Sequence, residues 1–237
     1  MAGILFIISA PSGSGKSTLV NELRSNVRDL EFSVSYTTRA PRGSEKDGEA
    51  YHFIDRAQFE QMIATEQLLE HAEVFGHYYG TGRAPLRKAF AEGKDMLLDI
   101  DVQGAMEVCG KVPEAVTIFV MPPTPETLEL RLRNRSRAEG NVDEAVIERR
   151  LAGARCEIRN YSHYKYVLVN DELNRAVEDL TAIVKAERYQ RDGRAELGKA
   201  SEGVQRVLDL ANRCRNHQGD ERLKKALAAF GVSATLG

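Results

Sequence analysis

The ten residues that follow the apolar run 4–8 lead into a stretch of helical spacing, and they constrain the fold more than any other part of the chain. Ser9-Ala10-Pro11-Ser12-Gly13-Ser14-Gly15-Lys16-Ser17-Thr18 matches G-x-x-x-x-G-K-[ST], except that Ala10 stands where the first glycine is expected. Glycines let such a loop curl with its N–H groups pointing inward, and the following helix adds its positive N-terminal end. Lys16 supplies a point charge for β and γ phosphates, and Ser17 is placed to ligate an accompanying Mg2+. Ala10 is tolerable provided its φ is negative. Because the motif follows a strand and opens a helix, the segment reads as a nucleoside triphosphate site, with Ser12 to Thr18 as its lining.

Short β-branched apolar runs recur at 96–100, 117–121 and 166–169. Runs apolar on both faces are what buried parallel strands look like. Helical spacing is expected at 16–27, 56–66, 85–92, 125–135, 142–161 and 172–189, so strand and helix alternate as in an α/β fold with a parallel sheet. Within 96–101, the sequence Met-Leu-Leu-Asp-Ile-Asp delivers Asp99 to the end of a buried strand, the position of a carboxylate in the metal shell. Asp101, just before Val102, also reads as a helix cap. Between the first helix and this strand lies a small, partly β segment, with alternation at 32–38, a short strand candidate at 51–54 and turn formers at 41–48.

At this point further segments add up. Ser33-Val34-Ser35-Tyr36-Thr37-Thr38-Arg39-Ala40-Pro41-Arg42, Glu49-Ala50-Tyr51-His52-Phe53, Leu69-Glu70-His71-Ala72-Glu73, Tyr78-Tyr79-Gly80-Thr81 and Leu98-Asp99-Ile100-Asp101 follow the phosphate loop in order. Together they resemble the guanylate kinases over about residues 4–189. The resemblance implies an α/β P-loop kinase core, its parallel β-sheet flanked by helices (1–31, 84–124 and 163–189). It further implies a small mixed α/β GMP-binding insert (32–83) and a helical lid (about 125–162). The implied reaction moves the ATP γ-phosphoryl group to GMP, with Mg2+ as cofactor and Ser17 and Asp99 as its protein ligands. Arg39, Arg42, Tyr51 and Tyr79 would hold the GMP phosphate, and Ser35, Glu70, Thr81 and Asp101 would read the base. Arg131, Arg135 and Arg150 match the lid arginines that act with Lys16 in catalysis, with Arg149 a rival for the last.

The chemistry of these residues supports the same transfer. Guanine presents N1–H and an exocyclic amine side by side, so one carboxylate such as Glu70 can accept both, whereas adenine has an acceptor at N1 and lacks that amine. A buried acid left unpaired makes such discrimination large, by factors of about 10^4. Hydroxyls at Ser35 and Thr81 can donate to O6, and guanidinium forks suit a phosphate dianion. Alone, Arg39 and Arg42 would read as an exposed basic turn, and Glu70 as a solvated charge. No general base is needed, since the GMP phosphate oxygen is already ionised. Exclusion of water calls for inward closure of the insert and lid. Two rivals remain: a P-loop kinase acting on ribose 1,5-bisphosphate or another nucleoside monophosphate, and a non-catalytic phosphopeptide-binding module of the same fold.

A formal charge of −2 gives no global drive toward nucleic acid or an anionic membrane. The only early apolar run is far short of the roughly 20 residues of a membrane span. Cys109, Cys156 and Cys214 are odd in number with no C-x-x-C pair, which points to a reducing cytoplasm rather than a disulfide or zinc framework. Residues 190–237 hold nine basic and six acidic residues and a single aromatic, Phe230. Val204, Val207, Leu208 and Ala211, then Leu223, Ala226, Leu227 and Phe230, keep helical spacing. They predict two short amphipathic helices joined near Gly219, which either dock on the body or on a second subunit of a homo-oligomer, or fray, since short helices are marginal alone.

Overall fold

The computed structural model describes residues 3–43, 45–74, 76–138, 143–193, 201–216 and 220–233. The expected joint at Gly219 and residues 139–142 of the expected lid lie outside them. Two compact units divide the chain, one from the described residues of 1–8 and 29–116, the other from those of 9–28 and 117–237.

In the first unit, strand β1 (Leu5–Ser9) pairs in parallel with β7 (Asp95–Asp99), which pairs in parallel with β2 (Leu30–Phe32). Leu5 to Ile8 and Met96 to Leu98 are buried, as their unbroken apolar runs require. A second sheet has the order β4–β3–β6–β5, built from β3 (Tyr36–Thr37), β4 (His52–Phe53), β5 (Leu68–Val74) and β6 (His77–Gly82). β3 and β4 run parallel, while β6 is antiparallel to both β3 and β5. Register slips between Leu68 and Glu70, which face Gly82 and Thr81, so Leu69 is the extra residue of a bulge. Helices α2 (Arg56–Ala64), α3 (Arg83–Ala91) and α4 (Val102–Lys111) complete the unit. α2 starts at a capping box in which Asp55 and Gln58 satisfy each other's backbone N–H, and Asp101 caps α4 by accepting from the Gly104 N–H at 2.7 Å.

In the second unit the parallel pair is β8 (Val116–Met121) with β9 (Tyr166–Val169), Ile118 facing Tyr166. Helix α1 (Lys16–Asn26) packs on α7 (Leu173–Arg191). Helices α5 (Pro125–Ala138) and α6 (Glu144–Ile158) share a core of Leu128, Leu132, Ile147, Leu151 and Ala154, and a 3-10 turn, Arg159–His163, follows. The two expected tail helices form as α8 (Glu202–Arg213) and α9 (Glu221–Ala229), both docked within this unit. Between them Val167 N–H donates to Cys214 O at 2.8 Å and Asn216 N–H to Lys165 O at 3.2 Å. The tail thus lies antiparallel beside β9 and caps an edge that would otherwise present unpaired backbone groups. Phe230 packs on the α5–α6 core. Among the described residues no helix is long and apolar enough to cross a membrane.

The tail is also held by a charge. Asp179 of α7 is 1% exposed, and Arg222 of α9 donates to it at 2.8 Å, with Arg213 4.0 Å away. Removing one partner of a buried pair leaves the other charge uncompensated. Arg222→Met is expected to cost about 3 kcal/mol in urea unfolding of the full chain; a loss below about 1 kcal/mol would mean that α9 is not anchored there.

Candidate functional site

The phosphate loop lies in the second unit, at the head of α1. Gly13 and Gly15 have φ of +88° and +85°, conformations open to glycine and strained for other residues. Space forbids side chains there as well. A β-carbon on Gly15 would stand 2.4 Å from Asn170 Nδ2, and one on Gly13 would stand 2.9 Å from Leu132 of α5. Ala10 is not among the positive-φ residues, which explains why a methyl group replaces the expected glycine. Gly15 caps α1 without any side-chain bond, and the start of such a helix is suited to an anion. Lys16 is half-buried, while Ser12, Ser17 and Thr18 are exposed.

Two side chains pin this loop from outside it. Asn170, 4% exposed at the end of β9, donates to Ser14 O at 2.8 Å. Arg131 donates to the same oxygen at 3.2 Å and to Asn170 O at 3.0 Å. Of the expected lid arginines, Arg131 is therefore at the loop, Arg135 is exposed on α5 and Arg150 is half-buried on α6. Arg149 is exposed and donates to Ala145 O within its own helix. Arg133 is spent on Glu129 and Glu144.

The residues expected to bind the second nucleotide fall in the first unit, where the second sheet places them in two groups. In one, Arg39 is 6% exposed and forked onto Glu45, with bonds of 2.7 and 2.9 Å. Its guanidinium also lies 5.1 Å from the Tyr51 ring centroid, and the Tyr51 and Tyr79 rings are 5.9 Å apart. The bond from Arg39 holds the Glu45 carboxyl below its ordinary range. Arg42 is exposed, and its backbone N–H donates to Glu45 at 2.8 Å. Arg39, Tyr51 and Tyr79 are thus brought together, while Arg42 joins through its backbone and Ser35 is half-buried beside β3.

In the other group, Glu70 of β5 is 4% exposed and accepts a 2.6 Å bond from the Thr81 hydroxyl on β6. Burial pushes its carboxyl up to about 7; the Thr81 bond opposes that, the charges of Asp101 and Glu107 add to it, and Lys111 opposes it. Lys111 of α4 donates to Leu69 O and to Glu107, both at 2.6 Å. Asp101 caps α4, the role its position before Val102 also suggested. Asp99 closes β7 and is half-buried.

Glu45, Asn170, Gly104 and Lys111 escaped the sequence reading, since each acts through contacts that no motif announces. The capping and turn chemistry around 41–48 was visible, but not that Glu45 folds back onto Arg39.

Glu70 carries a pH signature. Its folded value, about 7, lies above the ordinary 4.5, so the folded chain is penalised as pH rises from 4.5 through 7 and fully penalised above. Glu70→Gln removes the charge and keeps an acceptor for Thr81. The variant is expected to match the parent in urea unfolding at pH 4.5 or below and to exceed it by about 2–3 kcal/mol at pH 8. Equal stability at both values would show that Glu70 is not desolvated.

Comparison with known proteins identifies the family. The family model for guanylate kinase matches residues 3–187. A guanylate kinase from Koribacter versatilis is 51% identical over 97% of each chain, and one from Nitrosospira multiformis is 47% identical over 79% of this chain and 88% of its own. The crystal structure of guanylate kinase from Anaplasma phagocytophilum, 35% identical, superposes with a TM-score of 0.65 over 78% of this chain and 86% of that one. With a matching phosphate loop, a paired-tyrosine arginine site and a buried acid on the second sheet, the chain belongs to the guanylate kinase family.

Proposed function

We propose that the chain transfers the γ-phosphoryl group of ATP to GMP, giving ADP and GDP, and that Glu70 reads the guanine. The observation that carries this reading is the burial of an acid whose one hydrogen-bond donor among the described residues is a hydroxyl. Such an acid is poorly satisfied alone and well satisfied by two adjacent N–H donors. Its single Thr81 proton can then turn to O6, where Ser35 also donates. Asp101, capping α4, stands as the remaining base-reading candidate.

On the phosphate side, Arg39 with Tyr51 and Tyr79 takes the GMP dianion, aided by Arg42. Glu45 occupies that fork in this structure, so GMP binding replaces a carboxylate by a phosphate on the same donors. The loop amides of Ser12 to Thr18 and Lys16 bind the ATP phosphates. Ser17 and Asp99 offer the hard oxygen donors that Mg2+ takes, and among the described residues no group of three or more His, Cys, Asp or Glu forms a cage of its own. That suits an ion held by one or two protein ligands plus substrate phosphates. When bound, Mg2+ neutralises charge on the β and γ oxygens. Arg131, Arg135 and Arg150 add positive charge along α5 and α6, and Arg131 already reaches the loop. The GMP oxygen needs no base, so rate comes from alignment and electrostatics. Residues 32–83 and about 125–162 serve as insert and lid that exclude water. Three free thiols suit a cytoplasmic setting.

A kinase for ribose 1,5-bisphosphate has no use for Glu70 and Thr81, and a phosphopeptide module has none for a complete phosphate loop. In a coupled ADP assay, GMP is expected to exceed AMP by about 10^4 in kcat/KM; parity with AMP, or with ribose 1,5-bisphosphate, would overturn the assignment. Lys16→Met is expected to lower kcat by at least ~10^2 while calorimetry still shows GMP binding; unchanged turnover would remove Lys16 from the reaction.

A further inference from the structure

Helix α4 lies against the Glu70 carboxylate that Thr81 also bonds. One carboxylate oxygen, Oε1, takes the Thr81 hydroxyl, and a β-carbon on Gly104 would stand 2.8 Å from the other, Oε2, and 3.2 Å from Cδ. Gly104 is buried in the first turn of α4 and its φ is not positive, so its backbone makes no demand for glycine. A helix favours alanine over glycine at such a position. What a methyl group would displace is the Glu70 carboxylate; the Asp101 oxygen that caps the helix, at 3.4 Å, would meet it in ordinary contact.

The far end of α4 acts on the strand that carries Glu70. The bulge leaves Leu69 without a facing partner on β6, and Lys111 donates to its carbonyl at 2.6 Å. Bulges re-aim the side chains beside them. Here the result is three consecutive buried residues, Leu68, Leu69 and Glu70, where a regular strand would turn alternate side chains outward.

We propose that α4 is the specificity-determining support of the base site. Gly104 leaves room for Glu70 Oε2, and Lys111 anchors the bulge, so that both oxygens face two adjacent donors at once. The inference deepens the guanine reading of Glu70 and rests on it. Gly104 and Lys111 are positioning residues and act only through Glu70.

The test is steady-state kinetics of the full chain with GMP and AMP, at saturating and at varied ATP. Gly104→Ala is expected to raise the KM for GMP about tenfold or more and to narrow the GMP over AMP preference by a similar factor, with the KM for ATP within about twofold of the parent. Lys111→Met should shift the same two quantities in the same direction, and Lys111→Arg should restore them by returning a donor to Leu69 O. Should Gly104→Ala fail to fold, the Lys111 pair carries the test. Glu70→Ala separates the inference from the reading beneath it. If Glu70→Ala abolishes the preference for GMP while Gly104→Ala and Lys111→Met keep it, the role of α4 is refuted alone. If Glu70→Ala itself keeps the preference, the guanine reading of Glu70 is refuted.

Discussion

A carboxylate taken out of water must find partners or lose its charge, and the first unit is organised around one, Glu70. Its burial is created by β5, β6 and α4, which between them supply one hydroxyl, one bulge and one bare glycine. Among the described residues no lysine or arginine bonds to it directly; Lys111 spends its bonds on Leu69 O and Glu107. The site is therefore left under-satisfied in the one way that a purine with adjacent donors can repair. That incompleteness costs stability above neutral pH, and in the proposed reading it is what supplies selectivity.

The two anion sites are prepared differently. At Arg39 the fork is filled by an internal acid, Glu45, which keeps the buried guanidinium paired. At the phosphate loop the N-cap of α1 is Gly15, which makes no side-chain bond of its own to the helix. The loop is instead held by its back, with Asn170 and Arg131 on the Ser14 carbonyl and Leu132 against Gly13. Amides directed at a ligand stay directed only if the carbonyls between them are fixed elsewhere, and Asn170 and Arg131 do that.

Much of this was legible in the sequence where burial is two-sided or a motif is contiguous. The runs at 4–8, 96–100, 117–121 and 166–169 became strands because nearly all of their residues are buried on both faces. The tail helices were legible from apolar spacing, but their docking was not, since Asp179 and Arg222 look like solvated charges until α9 meets α7. Strand β5 hid for a related reason. Leu68-Leu69-Glu70 does not alternate, because the bulge buries three residues in succession, and its partner β6 is short of β-branched apolar residues. Glu70 and Thr81 were found through family resemblance together with the chemistry of guanine; Gly104 and Lys111, which bear on Glu70 from a different element, left no local signal.

The central claim is that Glu70 faces the base with both oxygens. A crystal structure of the chain with GMP tests it most directly. The account predicts Glu70 Oε1 and Oε2 within about 3 Å of guanine N1 and N2, with Arg39 released from Glu45 onto the phosphate. A bound GMP whose base edge is met by another residue, with the Glu70 carboxylate still closed on Thr81 alone, would contradict it.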